Sequence, residues 1–135
     1  MINRQDIIDQ ARSMIGTPWR HQGRQPGEGL DCIGLIVCVM RNLGVTITDN
    51  PNYGRAPIPS QFIEAVRAHV PEKPIVCKEP GDMLLIAPGK VLQHACIYLG
   101  NDMIIHAQDG SVVSERRLDD WEYRIRYCFD LSNPL

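Results

Sequence analysis

A chain of 135 residues with 44% hydrophobic and 22% charged residues has the size and composition of one compact domain, so residues 1–135 are expected to form a single domain. The net charge of −2 excludes the strongly basic balance typical of nucleic-acid binding, so no nucleic-acid partner is expected. The longest apolar run, residues 32–40, is too short for membrane insertion. No apolar leader segment follows Met1, which predicts synthesis in a cytoplasm without a signal peptide.

The first half of the chain is predicted to be helical. Apolar residues at helical spacing predict a helix over residues 4–15, and three glycines with two prolines predict an irregular loop over residues 17–30. A buried helix is predicted over residues 32–43, because Asp31 is a good N-cap residue and Gly44 a common residue after a helix end.

The second half of the chain is predicted to be mainly β-structure. A turn-rich loop over residues 45–59 leads to a predicted helix over Ser60–Val70. Short strand-type runs then follow: Asp82–Ala87, Gln93–Leu99, Met103–Ala107, Ser111–Ser114 and Arg124–Phe129. Helices followed by a series of strands indicate an α+β fold with an antiparallel sheet. Arg116, Arg117, Asp119 and Asp120 are expected to form a solvated charged turn.

The residues that indicate chemistry are one cysteine and two histidines. Cys32 opens a predicted helix, where the helix dipole and free N–H groups stabilise a thiolate. His94 and His106 lie on neighbouring predicted strands, so one can act as a base and the other can orient it. Both must then point to the same face of the sheet. A two-residue Gly100–Asn101 turn would separate them, so a three-residue loop with Gly or Asn in the left-handed region is predicted.

Four segments together resemble a known family. They are ARSMIGTPWRHQG, GLDCIGLI, EPGDMLLI and QHACIYLGNDMIIHA, which together span residues 11–107. In this order they resemble the NlpC family of papain-like cell-wall cysteine peptidases. The resemblance implies a papain-like α+β fold in which helices pack on an antiparallel sheet. It also implies Cys32 as nucleophile, His94 as general base and His106 as the group that orients His94, with no cofactor.

The chain departs from the family pattern around the expected substrate pocket. Ile33 stands where the family usually has Ser, and Trp19 where it has Tyr, so a tyrosine hydroxyl near the nucleophile is expected to be absent. Cys96 replaces a small residue and is expected to crowd Cys32 or to lie close enough to oxidise with it. Three residues are nevertheless candidates for substrate binding: Trp19, His21 and Asp31.

The resemblance implies hydrolysis of a peptidoglycan stem peptide between D-γ-glutamyl and a diamino acid. Without a signal peptide or wall-binding repeat, the phage-borne branch is favoured, and the PNYGR segment within Asp49–Pro59 resembles it. That branch implies phage tail proteins as partners and the virion tail as the location. Two alternatives stay open: a non-catalytic tail-assembly or docking module, and a cytosolic thiol amidase or acyltransferase. A zinc site formed by Cys32, His94, Cys96 and His106 is disfavoured by the absence of closely paired ligands.

Overall fold

A six-stranded antiparallel sheet is the framework of the protein, as seen in a computed structural model that describes residues 1–55 and 57–135. Its strands, in chain order, are β3 (Glu72–Lys73), β4 (Met83–Ile86), β5 (His94–Gly100), β6 (Met103–Ala107), β7 (Val113–Arg117) and β8 (Ile125–Phe129). They lie in the order β3-β8-β4-β5-β6-β7. A separate two-stranded hairpin precedes them, formed by β1 (Arg24–Gln25) and β2 (Gly29–Leu30).

Helices cover one face of this sheet. They are α1 (Arg4–Arg12), α2 (Cys32–Asn42) and α3 (Ser60–His69), and two short 3₁₀ helices span Ile75–Cys77 and Asp119–Arg124. The main core lies between α1, α2 and the sheet, whereas a second apolar cluster on the other face includes Leu84, Cys96 and Cys128. The α+β architecture is therefore as predicted. None of the helices in the described residues is long and apolar enough to cross a membrane.

Helix α2 begins and ends close to its predicted limits. The Asp31 side chain accepts a hydrogen bond from the Gly34 N–H at 2.8 Å, which caps the first turn as expected of an N-cap aspartate. At the other end, Gly44 has a φ of +85°, a left-handed conformation that glycine adopts without a Cβ clash. Residues 33–40 are buried, so this helix is held mainly by apolar packing.

Several elements differ from the prediction. Residues 17–30, predicted to form an irregular loop, contain the short β1–β2 hairpin, and neither β3 nor the two 3₁₀ helices was predicted. The first helix ends at Arg12 rather than residue 15, because turns follow and Ile15 is 47% exposed, giving no apolar contact to extend the helix. The strand predicted at Ser111–Ser114 is found at Val113–Arg117, after a turn in which Gly110 has a φ of +79°. This strand lies at the edge of the sheet, and its exposed and less exposed side chains alternate. Charged side chains are common on edge strands, so the charges at 115–117 are compatible with a strand.

The hairpin between β5 and β6 places both histidines on one face of the sheet, as predicted, but by a different device. The turn itself has two residues, Asn101 and Asp102, and Gly100 pairs with Met103. A register shift between Tyr98 and Gly100 supplies the extra residue as a β-bulge. The predicted three-residue loop is therefore wrong in detail. Positive φ angles at Gly100, Asn101 and Asp102 agree with the predicted left-handed conformations.

Candidate active site

Cys32 is the first residue of α2 and points toward strand β5. Its thiol lies close enough to the backbone N–H of Ala95, the residue after His94, for this N–H to lower the pKa of the thiol against the effect of burial. Asp31 caps the helix and thereby fixes where its first residue, Cys32, lies. The N–H groups of the first helical turn are the donors that could stabilise a negatively charged oxygen during attack on a carbonyl.

His94 and His106 form a hydrogen-bonded pair. The Nε2 atom of His94 lies 2.7 Å from Nδ1 of His106, and the rings meet edge to face with centroids 4.9 Å apart. His106 is buried at 2% exposure, whereas His94 is partly exposed at the beginning of β5. Because Nε2 of His94 is occupied, Nδ1 is the nitrogen left to exchange a proton with another group.

The direction of this hydrogen bond decides whether His94 can act as a base. If His94 donates its Nε2 hydrogen to His106, its Nδ1 atom keeps a lone pair and can accept a thiol proton. When His94 becomes an imidazolium, the same Nε2–H donates to His106 more strongly, because a charged donor forms the stronger hydrogen bond. His106 therefore suits the orienting role predicted for it.

Burial keeps both partners neutral in the resting state. It raises the pKa of the Cys32 thiol to about 12, and the neighbouring Asp31 carboxylate adds to this rise. Burial also lowers the pKa of His94 to about 3, with further lowering by His106 and Arg116. The pKa of His106 falls to about 4 for the same reason, assisted by Arg116. The stabilised thiolate expected at a helix start is therefore not the resting form.

A cavity of about 300 Å³ opens beside these groups. Cys32 and His94 line it, and so do all three residues predicted to bind substrate, Trp19, His21 and Asp31. The rings of Trp19 and His21 stack with centroids 6.2 Å apart. The structure thus brings the predicted nucleophile, base and substrate-binding residues to one cleft, and substrate contact by the latter three stays a prediction.

Asp31 is already fully occupied by donors. Its Oδ1 atom accepts from the Gly34 N–H at 2.8 Å and from Arg24 at 3.1 Å. Its Oδ2 atom accepts from the Gln22 N–H at 2.8 Å and from the Tyr53 hydroxyl at 2.5 Å. A carboxylate offers about four lone-pair sites, so a substrate amine would have to displace one of these donors. The contacts present make Asp31 a structural residue that joins the nucleophile helix to the loops around it.

Tyr53 corrects the expectation that no tyrosine hydroxyl lies near the nucleophile. It comes from the 45–59 loop, lines the cavity and donates its hydroxyl hydrogen to Asp31, while Arg24 donates to its oxygen at 2.9 Å. Burial and the Asp31 carboxylate raise the pKa of Tyr53, so its hydroxyl stays protonated. The PNYGR letters were the only signal for this residue, and they do not reveal that the loop folds back over the helix start.

Trp121 was missed by the sequence analysis, because it stands within the charged segment expected to be solvated. Its ring lies 5.4 Å from that of His94 and 5.9 Å from that of His106, and it lines the cavity. Arg116 stacks on the other side of it, 3.8 Å from the ring centre. Arg117, Asp119 and Asp120 are exposed as expected, and Arg117 forms an ion pair with Asp119 at 3.4 Å.

Cys96 does not share the cleft. It is completely buried in the second apolar cluster, on the same face of the sheet as His94 and His106, and all five cysteines have free thiols. The two thiols are not joined, but burial and, in addition, the nearby Cys32 raise the pKa of Cys96, so oxidation between the two stays a prediction. Within the described part of the chain, no group of three or more His, Cys, Asp or Glu side chains is arranged to hold a metal ion, so the zinc alternative gains no support.

Comparison with known proteins places this arrangement in a family. The sequence model of the NlpC/P60 family matches residues 16–130. The NlpC/p60 domain of the peptidoglycan hydrolase SagA is a similar solved structure, with 24% identity, a TM-score of 0.68, and coverage of 96% of this chain and 99% of that one. A comparison with curated proteins finds no match.

Two mycobacterial structures are similar as well. The peptidoglycan hydrolase RipB of Mycobacterium tuberculosis is 20% identical over 96% of this chain and 65% of its own, with a TM-score of 0.70. RipD of the same organism, described as a non-catalytic NlpC/p60 domain protein, is 17% identical over 94% and 95% of the two chains, with a TM-score of 0.65. The chain also spans 41% of a Bacillus cereus NlpC/P60 family protein, with 18% identity over 97% of this chain and a TM-score of 0.75. The fold and the family match over most of the sequence show that the chain belongs to the NlpC/P60 family.

Proposed function

We propose that the protein is a cysteine peptidase that hydrolyses an amide bond in the stem peptides of peptidoglycan. The observation that carries the proposal is the placement of Cys32 and His94 in one cleft, with the second nitrogen of His94 held by His106 at 2.7 Å. This arrangement has a nucleophile, a base and an orienting group in their required order. Family membership and the similar peptidoglycan hydrolases SagA and RipB support a cell-wall substrate.

The first half of the reaction follows from the neutral resting pair. As Sγ of Cys32 bonds to the carbonyl carbon, its proton passes to Nδ1 of His94, and the carbonyl oxygen takes up the negative charge near the N–H groups of the α2 start. His106 accepts a hydrogen bond from the new imidazolium. The carbon–nitrogen bond then breaks, and the proton moves from Nδ1 to the departing amine.

Water completes the cycle. His94, neutral again, removes a proton from a water molecule as its oxygen attacks the thioester carbon, and the proton finally returns to the sulfur as the acid product leaves. This sequence balances protons without any metal or cofactor. The specific scissile bond we propose is the one between D-γ-glutamyl and a diamino acid. It follows from the sequence resemblance, as does the proposed association with phage tails and the virion.

The proposal is tested by incubating purified muropeptides with the protein and identifying products by mass spectrometry. Wild type should release fragments cut at one amide bond, and Cys32→Ala should reduce the rate at least 10³-fold, in keeping with removal of a covalent nucleophile. Cys77→Ala is the matched control, because Cys77 is exposed and does not line the cleft. Equal cleavage by wild type and Cys32→Ala would refute the mechanism.

Binding without cleavage is the second candidate, raised by the similarity to RipD, described as adapted to peptidoglycan binding. Under this alternative, wild type and Cys32→Ala would sediment equally with purified cell-wall sacculi, and neither would release soluble peptides. The intact Cys32, His94 and His106 arrangement favours catalysis. An unrelated amide substrate, as for a cytosolic amidase or acyltransferase, would give turnover of small thiol-reactive amides but none of muropeptides.

A further inference from the structure

The two histidines are covered by a tryptophan that no part of the triad requires. Trp121 lies on the 3₁₀ helix Asp119–Arg124 and contacts the rings of both His94 and His106, with centroid distances of 5.4 and 5.9 Å. Interplanar angles of 64° and 79° show that both contacts are edge to face, the arrangement in which aromatic rings attract each other. Its backbone N–H is bonded to the Leu118 carbonyl at 2.9 Å, which anchors it on a buried residue.

Arg116 stacks its guanidinium on the indole ring of Trp121. Its guanidinium carbon is 3.8 Å from the ring centre, and its Nε–H donates to the Arg117 carbonyl at 2.8 Å, which orients the guanidinium. No salt bridge involves Arg116 among the described residues, so the indole face is the main partner of its charge. Glu122, on the same 3₁₀ helix, is bound instead by Lys78 at 2.8 Å.

We propose that Trp121, braced by Arg116, is a positioning residue that holds His94 against His106 and excludes water from the pair. This inference rests on the proposed function for its catalytic meaning. The effect of Trp121 and Arg116 on the pKa values of the two histidines can be measured without any substrate. Among the described residues, no carboxylate raises the pKa of either histidine, which suits a base that must be neutral before attack.

Two physical effects act together on His94. The indole ring replaces water on one side of the imidazole, and the fixed positive charge of Arg116 lowers the pKa of both histidines. The imidazolium formed during attack is therefore a strong acid, ready to pass its proton to the departing amine. Rigid packing also limits rotation of the His94 ring, which keeps Nδ1 directed into the cleft.

The other charged and titratable groups around the pair come from several elements. Cys32 approaches from α2, and Cys96 lies on β5 itself. Asp109 lies at the cleft rim and is 63% exposed, with Arg55 at 3.7 Å, so the two largely neutralise each other. His21 lies across the cleft. Of the groups that influence both histidines, Arg116 is the permanent charge.

The test is an NMR titration of the histidine C2–H resonances in Arg116→Gln, with Arg117→Gln as the matched control. The two variants lose the same charge from neighbouring positions of β7, and Arg117 is paired only with Asp119 at the surface. Resonances are assigned with His21→Gln and His69→Gln, which leave His94 and His106. We expect Arg116→Gln to raise the titration midpoints of the pair by roughly one pH unit, and Arg117→Gln to leave them unchanged.

Trp121→Leu should raise the same midpoints, because it admits water to the rings, whereas Trp121→Phe should restore most of the wild-type behaviour. Thermal unfolding identifies any variant that does not fold, and Arg116→Met and Trp121→Met then take the place of Arg116→Gln and Trp121→Leu in the titration. In parallel, the acid limb of kcat/KM on muropeptides should move upward with the NMR midpoints. Midpoints unchanged in both Arg116→Gln and Trp121→Leu would overturn this inference. Shifted midpoints in a protein that cleaves no muropeptide would instead refute the proposed function alone.

Discussion

The network around Arg24 gives the sharpest prediction about how the site is held together. The Arg24 side chain donates five hydrogen bonds: two to Asp49, and one each to Asp31, the Gly23 carbonyl and the Tyr53 hydroxyl. Both carboxylates are nearly buried, at 5% exposure for Asp31 and 10% for Asp49. Arg24→Met keeps most of the length of the side chain and removes only the charged group that satisfies them.

The expected loss follows from removing the positive charge that pairs with both carboxylates, of which Asp49 loses two hydrogen bonds and Asp31 keeps three other donors. Removing one partner of a buried ion pair costs about 3 to 5 kcal/mol, because the remaining charge has no water to replace it. Domains of this kind have about 5 to 15 kcal/mol of unfolding free energy. For 135 residues, the typical unfolding entropy converts the loss into a fall in melting temperature of about 10 to 18 °C.

The measurement is urea unfolding followed by circular dichroism, with melting temperature as a second readout. Arg12→Met is the matched control, because Arg12 also pairs with a carboxylate, Glu115, at 3.1 Å, but both side chains are well exposed at 46% and 31%. That pair should contribute at most about 1 kcal/mol. Arg24→Met combined with Asp49→Asn should lose less than the sum of the single variants, because the two residues are in contact. Equal small losses for Arg24→Met and Arg12→Met would refute the reasoning.

Three further predictions concern the same region. The folded-state pKa of His106, about 4, lies below its unfolded value of 6.5, so the unfolded state binds more protons between these values. Its contribution to the unfolding free energy should fall by about 3 kcal/mol from pH 6.5 to 4, in addition to the loss from His94, whose pKa is about 3. The total fall should therefore be smaller in His106→Gln by about that amount. A flat profile from pH 6.5 to 5 would contradict this. Gly34→Ala should lower the unfolding free energy by about 1 to 3 kcal/mol or more, because the added Cβ would overlap the Gly23 carbonyl oxygen. Gly27→Ala is the control: no atom lies near its added Cβ, although its φ is +85°, so thermal unfolding should show a loss of only about 1 kcal/mol. Tyr53→Phe should lower unfolding free energy by about 1 to 3 kcal/mol, because Asp31 loses a donor; an unchanged melting temperature would show that water replaces the hydroxyl.

The features predictable from sequence were those set by local rules. Asp31 and Gly44 mark the ends of α2 because capping depends on residues within one turn of the helix. His94 and His106 share a face because side chains alternate along a strand and an odd number of residues separates the paired positions. A β-bulge, and not a longer loop, provides the extra residue. The residues that meet in the cleft, Cys32 and His94, could therefore be named from the chain alone, and their roles stay predictions.

The missed residues act across long sequence distances. Tyr53 lies 22 positions from Asp31 and contacts it only because the 45–59 loop returns over the helix start. Trp121 contacts His94 because the 3₁₀ helix Asp119–Arg124 follows the edge strand β7 and places the indole ring against the histidines. No periodic pattern predicts the course of either segment, because charged and turn-forming residues dominate both. Sequence reasoning therefore predicted the positions of Cys32, His94 and His106 better than the residues that surround them.

The thiol illustrates how two correct local arguments can compete. A helix N-terminus favours a thiolate by typically 0.3 to 1 kcal/mol and by up to about 2 kcal/mol in partly buried positions. Burial acts in the opposite direction, and the Asp31 carboxylate beside Cys32 adds to it, so the pKa rises to about 12. Under the proposed mechanism, a raised thiol pKa together with a lowered His94 pKa means that the proton moves only when a carbonyl is in place to receive the sulfur. Activation then belongs to the substrate complex, where the α2 N–H groups stabilise the developing oxyanion instead of a resting thiolate.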